Sequence, residues 1–533
     1  MALSTGKDAL KNLLGQIPFT AELYWLFRQG GEPQSRFSLK HLQENLPDIV
    51  SQVGALDGRP PSGKKIFIFA ALHYWIEQAA LLGLALATQS HRVTLGYLPY
   101  GDWQTPVNKF DMRRLNLYTN RTLDQASPYL DTVSFSALRP SYLPLPDPMR
   151  EAIRQTSLYD CQYTTQVEEV DTESPLYRLR MERNEQAARV AMAYFKNNRP
   201  DVVVVPNGMI LEMGIIYRVA RCMGIPTVTY EFGNQRGRIF LAQNDEILHQ
   251  DTDRMWRVRQ GVALTAEQVE RMRSLFTARQ QAASWENFTR PWQGIPAQGG
   301  EQARAALKLD ERPVCLLATN VIGESLTLGR NLFSRSMTEW VERTLQYFAG
   351  RPDVQLVVRV HPGEQLSNRQ TIAEVVKQVF PRLPENIHLV GATDSLNTYD
   401  LFEVADLGVV YTSTVGLEMA LKGLPVVVAG NAHYRGRGFT SDPDTWVGYF
   451  KMLGAMLDRS RDHHLTREQV DRAWQYAYAF FFEFPQPYPW HLVRLWDDYR
   501  NNPLPKVFSP EGLEQYGATF RYLAGEPVQW NQA

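Results

Sequence analysis

Residues 400–440 contain the pattern that most restricts how this chain can fold. Two runs of consecutive apolar residues, 407–411 and 425–429, flank a hydroxyl-rich turn and a helix that starts near Gly416. Strands that are apolar on both faces are typical of parallel sheets covered by helices. The polar residues follow the first strand, so they lie at the carboxyl edge of the sheet, where open α/β sheets bind their ligands.

The same alternation of buried strand and helix fills most of the chain. Further strands are predicted at 66–72, 93–98, 202–205, 226–230, 313–318, 354–360 and 387–389. This order predicts an α/β protein with two Rossmann-like domains that face a central cleft. The predicted ranges are 1–60 for a helical N-terminal extension, 61–290 for the first domain, 300–460 for the second domain and 465–533 for a helical, aromatic-rich C-terminal segment. The Gly- and Pro-rich stretch 288–302 is the predicted linker.

Composition and charge exclude several classes of protein. A formal net charge of -1 argues against a nucleic-acid partner, which requires a basic field. Three widely spaced cysteines suit neither a disulfide framework nor a metal site. No Gly-x-Gly-x-x-Gly follows the first strand, so no dinucleotide cofactor is indicated.

The chain is predicted to be soluble and cytoplasmic. Its N-terminus lacks the long apolar run of a signal peptide. The longest apolar segment, 66–87, contains His73, Glu77 and Gln78, which disfavours a membrane span. The aromatic run 476–496 is interpreted as a helix packed on a domain surface, with an exposed patch for a partner or for the inner face of a membrane as the alternative.

Two polar groups of the second domain predict an anion site. Arg359 and His361 flank the end of a buried strand, where a cation and an imidazole can meet a phosphate. Ser413 and Thr414 precede the helix near Gly416, and a helix start with hydroxyls binds anions. The alternatives are a histidine satisfied by backbone groups and a plain helix cap.

Three blocks in this order resemble the capsule polysaccharide biosynthesis proteins, relatives of bacterial Kdo and polysialic acid transferases with the GT-B fold. They are VVRVHPGE (357–364), YTSTVGLEMALKGLPVVVAG (411–430) and HYRGRGFTSD (433–442). The resemblance implies a glycosyltransferase whose second domain holds a nucleotide-sugar and whose first domain holds a saccharide or glycolipid acceptor. It also implies that His361 contacts the donor phosphate.

Further donor contacts are expected around this site. Glu418 is one helical turn beyond Thr414, where a carboxylate accepts from ribose hydroxyls, or else it sits near the positive end of the helix dipole. Arg435 and Arg437 are interpreted as phosphate-binding, with exposed loop arginines as the alternative. Asn320 and Glu324 are candidate contacts for the donor sugar.

The acceptor half of the site is less determined. His73, Asp102 and Glu231 end strands of the first domain and are candidates for acceptor binding and for the general base that glycosyl transfer requires. Glu231 is preferred as the base, with a structural hydrogen bond as the alternative. No Asp-x-Asp motif is found in a suitable loop, so a metal-independent reaction without a cofactor is expected.

The resulting hypothesis is a GT-B glycosyltransferase that acts on a surface polysaccharide or glycolipid. A CMP-sugar donor is suggested by the resemblance alone, and UDP- and GDP-sugars stay open. The alternatives are a nucleotide-sugar epimerase or polyol-phosphate transferase of similar layout, and a non-catalytic polysaccharide-assembly scaffold.

Overall fold

The computed structural model describes residues 6–27, 36–56, 63–286, 288, 294–366, 369–458 and 464–530. The chain forms two compact units. The first unit comprises Met1–Cys161, Asp171–Leu248 and Gln486–Gln529, and the second comprises Gln162–Val170, His249–Pro485 and Trp530–Ala533. Each unit is built on its own sheet.

Twelve strands, numbered in chain order, make up these two sheets of the described residues. They are β1 (Lys65–Ala71), β2 (Arg92–Leu98), β3 (Leu130–Ser134), β4 (Val202–Pro206), β5 (Thr227–Glu231), β6 (Arg238–Gln243), β7 (Val314–Ala318), β8 (Gln355–Arg359), β9 (Ile387–Val390), β10 (Leu407–Val410), β11 (Val426–Val428) and β12 (Gln486–Pro487).

The α-helices of the described residues are also numbered in chain order. They are α1 (Gly6–Gln16), α2 (Thr20–Phe27), α3 (Lys40–Leu56), α4 (His73–Ala87), α5 (Lys109–Leu123), α6 (Asp147–Thr165), α7 (Pro175–Asn197), α8 (Leu211–Cys222), α9 (Asp253–Arg259), α10 (Ala266–Gln280), α11 (Gly300–Leu307), α12 (Met337–Ala349), α13 (Ile372–Val379), α14 (Thr398–Val404), α15 (Val415–Leu421), α16 (Trp446–Leu457), α17 (Arg467–Tyr478), α18 (Leu495–Asn501), α19 (Leu504–Val507) and α20 (Pro510–Leu523).

The sheet of the first unit has the strand order β12-β6-β5-β4-β1-β2-β3. The five strands from β5 to β3 are parallel, and β6 and β12 add an antiparallel edge. In the centre, Ile66 of β1 pairs with Val93 on one side and with Val202 on the other. Every residue of β4 is buried, as expected for a parallel strand covered on both faces.

The sheet of the second unit has the order β11-β10-β7-β8-β9 and is parallel throughout. Its core includes Trp340, Tyr411 and Tyr449, whose rings are fully buried. Gly408 of β10 lies so close to Met419 that a Cβ at this position would overlap the Met419 sulfur. The predicted α/β class with two Rossmann-like domains is therefore confirmed, with one wholly parallel sheet and one sheet that adds an antiparallel edge to five parallel strands.

The division into units runs differently from the predicted domain ranges. Residues 249–290 group with the second unit rather than with the first. Residues 486–529 return to the first unit, because β12 pairs with β6 and Trp490 is buried there. Residues 1–5, 28–35 and 57–60 of the predicted extension and 289–293 of the predicted linker lie outside the described residues.

The exposed aromatic patch considered for the C-terminal run is not found. Phe480, Phe482 and Phe484 are buried in the second unit, and Tyr488 and Trp490 are buried in the first. These rings are part of the packing of the two units, and membrane contact through this run stays a prediction. Within the described part of the chain, no helix combines the length and the apolar character that crossing a bilayer requires.

Candidate functional site

The carboxyl edge of the second unit's sheet contains a cavity of about 380 Å³. Strand β8 ends at Arg359, and the chain then turns through His361, which also lines this cavity. The opposite wall comes from the loop before α14 and from Val415 and Glu418 of α15. The structure thus brings Arg359, His361 and Glu418 to one cavity, as the sequence predicts.

Arg359 is a buried cation whose hydrogen bonds go to neutral groups. Its guanidinium donates to the backbone oxygen of Gly391 at 2.6 Å and to Thr398 Oγ1 at 3.2 Å. Burial lowers the pKa of Arg359 to about 10, and Asp394 raises it slightly in return. Since a buried charge is costly without a counter-ion, an anion in the cavity would be bound favourably by this side chain.

His361 is oriented by the turn that follows β8. Its Nδ1 accepts from the backbone N–H of Gly363 at 3.0 Å, and its own backbone N–H donates to Thr319 Oγ1 at 3.3 Å. A neutral imidazole that accepts at Nδ1 carries its proton on Nε2, so Nε2 is the donor nitrogen. The alternative predicted for His361, hydrogen bonding to backbone groups, is therefore observed for its Nδ1 atom, which accepts from the Gly363 N–H.

The turn before α15 contains Ser413 and Thr414, and its hydrogen bonds differ from those expected of the predicted anion site. Ser413 Oγ accepts from the N–H of Val415 at 3.3 Å, which is a local cap. Thr414 is the N-cap residue, and its side chain makes no capping hydrogen bond. The helix α15 has only seven residues, so its dipole is a small contribution. Of this turn, Val415 rather than either hydroxyl residue lines the cavity.

Glu418 is held by two side chains that the sequence did not indicate. Arg279 of α10 donates to Glu418 Oε1 at 2.7 Å, and Tyr399 donates its hydroxyl to Oε2 at 2.6 Å. The Arg279 and Glu418 side chains are 8% and 1% exposed. Because Arg279 is 139 residues away in sequence, no local pattern connects it to Glu418.

Asn320 and Glu324 form a hydrogen-bonded pair after β7, and neither side chain lines the cavity of Arg359 and His361. The Asn320 side chain donates to Glu324 Oε1 at 2.6 Å and accepts from the N–H of Thr412 at 3.2 Å. Burial raises the pKa of Glu324 to about 7. The neighbouring Glu364 also has its pKa raised to about 7 by burial, and the charge of Glu324 adds to this shift. The two carboxyl groups thus take up protons near neutral pH.

Arg435 and Arg437 serve other parts of the unit. Arg435 donates to the backbone oxygens of Val428 and Pro443 and pairs with Asp444 at 2.7 Å. Arg437 pairs with Asp253 at 2.5 Å and lines a separate cavity of about 720 Å³. Neither Arg435 nor Arg437 lines the cavity of Arg359. The structure therefore does not bring these two predicted phosphate-binding residues to the site of Arg359 and His361.

The three acceptor-side candidates follow parallel strands of the first unit. Glu231 ends β5 and accepts from Asn207 Nδ2 at 3.0 Å and from the N–H of Phe232 at 3.0 Å. Burial raises its pKa, and these hydrogen bonds lower it. His73 begins α4, and its Nδ1 has no hydrogen-bond partner among the described residues. Asp102 accepts from the N–H of Gln104 in the loop after β2.

A buried ionic network beneath this loop was missed from the sequence. Arg180 of α7 pairs with Asp160 at 2.8 Å and with Glu212 at 3.2 Å, and Glu212 accepts from Tyr100. Next to it, Arg183 lies over the Tyr100 ring and donates to the backbone oxygen of Thr105. Arg180 and Arg183 both lie in the charged helix α7. From the sequence, such charged residues are expected to be exposed to solvent, so the network was not predicted.

The described residues contain no group of three or more His, Cys, Asp or Glu side chains placed to hold a metal ion.

Comparison with known families supports the resemblance. Residues 322–467 match the family model described as capsule polysaccharide biosynthesis protein. The match includes the turn of His361 and the residues 411–442, so the resemblance predicted from the motifs is confirmed over this range. No curated protein sequence matches the chain.

Several solved structures are similar to this chain at low identity. The beta Kdo 2,4 transferase of Thermosulfurimonas dismutans KpsC is 19% identical, with 51% of this chain and 78% of that chain covered and a TM-score of 0.33. The beta Kdo 2,7 transferase of the same KpsC is 12% identical, with 58% and 88% covered and a TM-score of 0.33. The UDP-GlcNAc 2-epimerase of Neisseria meningitidis is 10% identical, with 78% and 98% covered and a TM-score of 0.27. TM-scores this low carry no argument about function.

Proposed function

We propose that the protein is a GT-B glycosyltransferase that moves a sugar from a nucleotide-activated donor to a saccharide or glycolipid acceptor of a surface polysaccharide. The observation that carries this proposal is the Arg359 guanidinium, which is buried beside His361 in a cavity at the carboxyl edge of the sheet. The family match over residues 322–467 supports the same reaction class.

In this proposal, the donor phosphate occupies the cavity of Arg359 and His361. Glycosyl transfer requires that the charge of the leaving phosphate be stabilised as the glycosidic bond breaks. Arg359 supplies a fixed positive charge, and the Nε2–H of His361 supplies a hydrogen bond. Both positions are set by backbone contacts, through Gly391 and Gly363 respectively, so little reorganisation is required when the phosphate arrives.

The acceptor is proposed to bind the first unit, with Glu231 as the general base. A base works best when its pKa lies near the working pH. Burial raises the pKa of Glu231 above its usual value, toward neutral pH. Asn207 donates a hydrogen bond to one carboxylate oxygen, which gives the group a defined orientation. His73 and Asp102 follow strands of the same parallel sheet and are proposed to bind the acceptor. The reaction is proposed to need no metal, since the cation Arg359 takes the role of neutralising the phosphate.

Nucleotide binding is the first test. CMP, UDP and GDP are titrated against the protein, and ligand stabilisation is measured as the shift in Tm, which grows with concentration over Kd. Replacing Arg359 with Lys keeps the charge but loses the planar fork of donors. We expect the affinity for the preferred nucleotide to fall about 10- to 150-fold, which corresponds to about 1.5–3 kcal/mol for a charged hydrogen bond.

The matched control is Arg335→Lys, because the Arg335 side chain is 89% exposed and lies outside the cavity. It should bind nucleotide as the unchanged protein does. Equal affinity of the Arg359→Lys variant, or no response to any nucleotide by a folded protein, would overturn the proposal. Product analysis with and without an acceptor, in the presence of a chelator, then separates transfer from epimerisation and tests metal independence.

A further inference from the structure

The helices α1 and α2 present an apolar surface to solvent. Six large apolar side chains are each more than half exposed, between 54% and 84%. They are Leu10 and Leu13 of α1, Phe19 of the turn between the two helices, and Leu23, Leu26 and Phe27 of α2. We call this set the apolar face. Scattered exposed apolar residues are normal on proteins, but six within eighteen consecutive residues are a concentration of exposed apolar side chains of the kind that marks an interaction site.

This exposure does not result from loosely attached helices. On the opposite side of α2, Trp25 is buried and packs its ring against Tyr118 of α5 at 6.2 Å. Lys11 pairs with Asp111 at 2.7 Å, and Arg113 donates to the backbone oxygen of Ile17 at 2.7 Å. The helices α1 and α2 are therefore fixed to α5 by their inner side, while the apolar face points away from the core.

The same layer of helices is positively charged. Among the described side chains of α1, α2 and α5, five are basic and two are acidic, which gives a net charge of +3. The two acidic side chains, Asp111 and Glu22, form ion pairs with three of the basic ones, Lys11, Arg113 and Arg114. The whole chain has a net charge of -1. Lys109 and Arg121 at the two ends of α5 are exposed. Lys109 lies next to α1, where its backbone N–H donates to Asn12 Oδ1 at 3.1 Å. Exposed basic side chains together with protruding Leu and Phe side chains are complementary to an anionic lipid headgroup layer over acyl chains.

We propose that the apolar face of α1 and α2, with the charges of α5, docks the protein on the surface of an anionic bilayer. The helices lie in the interface and do not span it, in agreement with the absence of any spanning helix among the described residues. A second copy of the chain is a poorer occupant, because two layers of charge +3 repel each other. The proposal does not depend on the activity proposed above.

Vesicle flotation tests this surface with the full chain. Vesicles of phosphatidylcholine with phosphatidylglycerol are compared with vesicles of phosphatidylcholine alone, and we expect binding to the anionic vesicles only. Raising the salt from 0.1 to 1 M shortens the Debye length from about 10 Å to about 3 Å and should weaken the binding. The double variant Leu26→Gln/Phe27→Gln should bind at least about tenfold more weakly, since it withdraws two side chains from the acyl layer.

The control is the double variant Tyr142→Gln/Leu143→Gln, which changes two equally exposed apolar residues of the first unit outside α1, α2 and α5. It should bind vesicles as the unchanged protein does. All four substituted side chains are solvent-exposed, so the Tm of each variant should match that of the parent.

Three outcomes would overturn the proposal. They are no binding to anionic vesicles, equal loss in both double variants, and binding that is the same with and without phosphatidylglycerol. A dimer that becomes monomeric in the Leu26→Gln/Phe27→Gln variant, without vesicle binding by the parent, would assign the face to a second copy instead.

Discussion

The ion pair between Arg279 and Glu418 offers a direct test of what Glu418 does. Exposed ion pairs contribute about 0–1 kcal/mol to stability, whereas removing one partner of a buried pair costs about 3–5 kcal/mol. This pair is short, at 2.7 Å, and almost fully buried. Replacing Glu418 with Gln keeps the shape of the side chain but removes the negative charge that pairs with Arg279.

We expect Glu418→Gln to destabilise the second unit by about 3 kcal/mol, the lower end of the buried range. The lower end applies because Arg279 keeps its stacking on Phe481, whose ring centre is 4.7 Å from the guanidinium carbon. For a unit of this size, the loss corresponds to a fall in Tm of about 6–12 °C. The nucleotide affinity should change much less, because both carboxylate oxygens already accept hydrogen bonds from protein groups.

The assay is urea unfolding of the parent, of Glu418→Gln, of Arg279→Met and of the double variant. If the pair is the main role of Glu418, the double variant should be less destabilised than the sum of the single variants, with a coupling of about 2 kcal/mol. A Glu418→Gln protein with unchanged stability and nucleotide affinity lowered more than tenfold would refute this reasoning and make Glu418 a ribose contact.

Two further predictions concern the other carboxyl groups. The pKa of Glu324 and of Glu364 is raised to about 7 from the usual value near 4.5, so the folded protein binds more protons than the unfolded chain between these pH values. Stability should therefore fall as the pH rises from about 5 to 7, and Glu324→Gln should flatten this dependence in urea unfolding at a series of pH values; an unchanged slope would contradict the assignment. Replacing Glu231 with Gln should lower the transfer rate at least about 100-fold, as expected for loss of a general base, while the nucleotide-induced Tm shift stays the same. Full transfer activity in this variant, with the correct donor, would remove Glu231 from the mechanism.

The sequence was a good guide to local structure because each signal is itself local. The strand ending at Arg359 and the turn of His361 follow from an apolar run and from the residues directly after it. The carboxyl edge of a parallel sheet then gathers such residues without any knowledge of distant contacts. For this reason, the sequence places Arg359 and His361 at the carboxyl edge of the second sheet, although it does not predict the other residues of the loop before α14 that line the cavity.

Partners that come from distant segments could not be found in this way. Arg279 of α10 donates a hydrogen bond to Glu418. Arg435 donates hydrogen bonds to the backbone oxygens of Val428 and Pro443. The aromatic run 476–496 is interpreted from the sequence as packed, but periodicity shows only that a segment has an apolar side and not what covers it. The run is divided between the two units: residues up to Pro485 belong to the second unit, and residues from Gln486 onward belong to the first.

The return of residues 486–529 to the first sheet has a consequence for synthesis on the ribosome. Strand β6 leaves the ribosome more than two hundred residues before its neighbour β12, and the largest segment of the second unit, His249–Pro485, is made in between. Until then, β6 is an unprotected edge, and unprotected edges pair with other chains. A nascent or truncated chain that ends before Gln486 should thus be prone to aggregation, and its rescue should require chaperones or the missing segment supplied in trans.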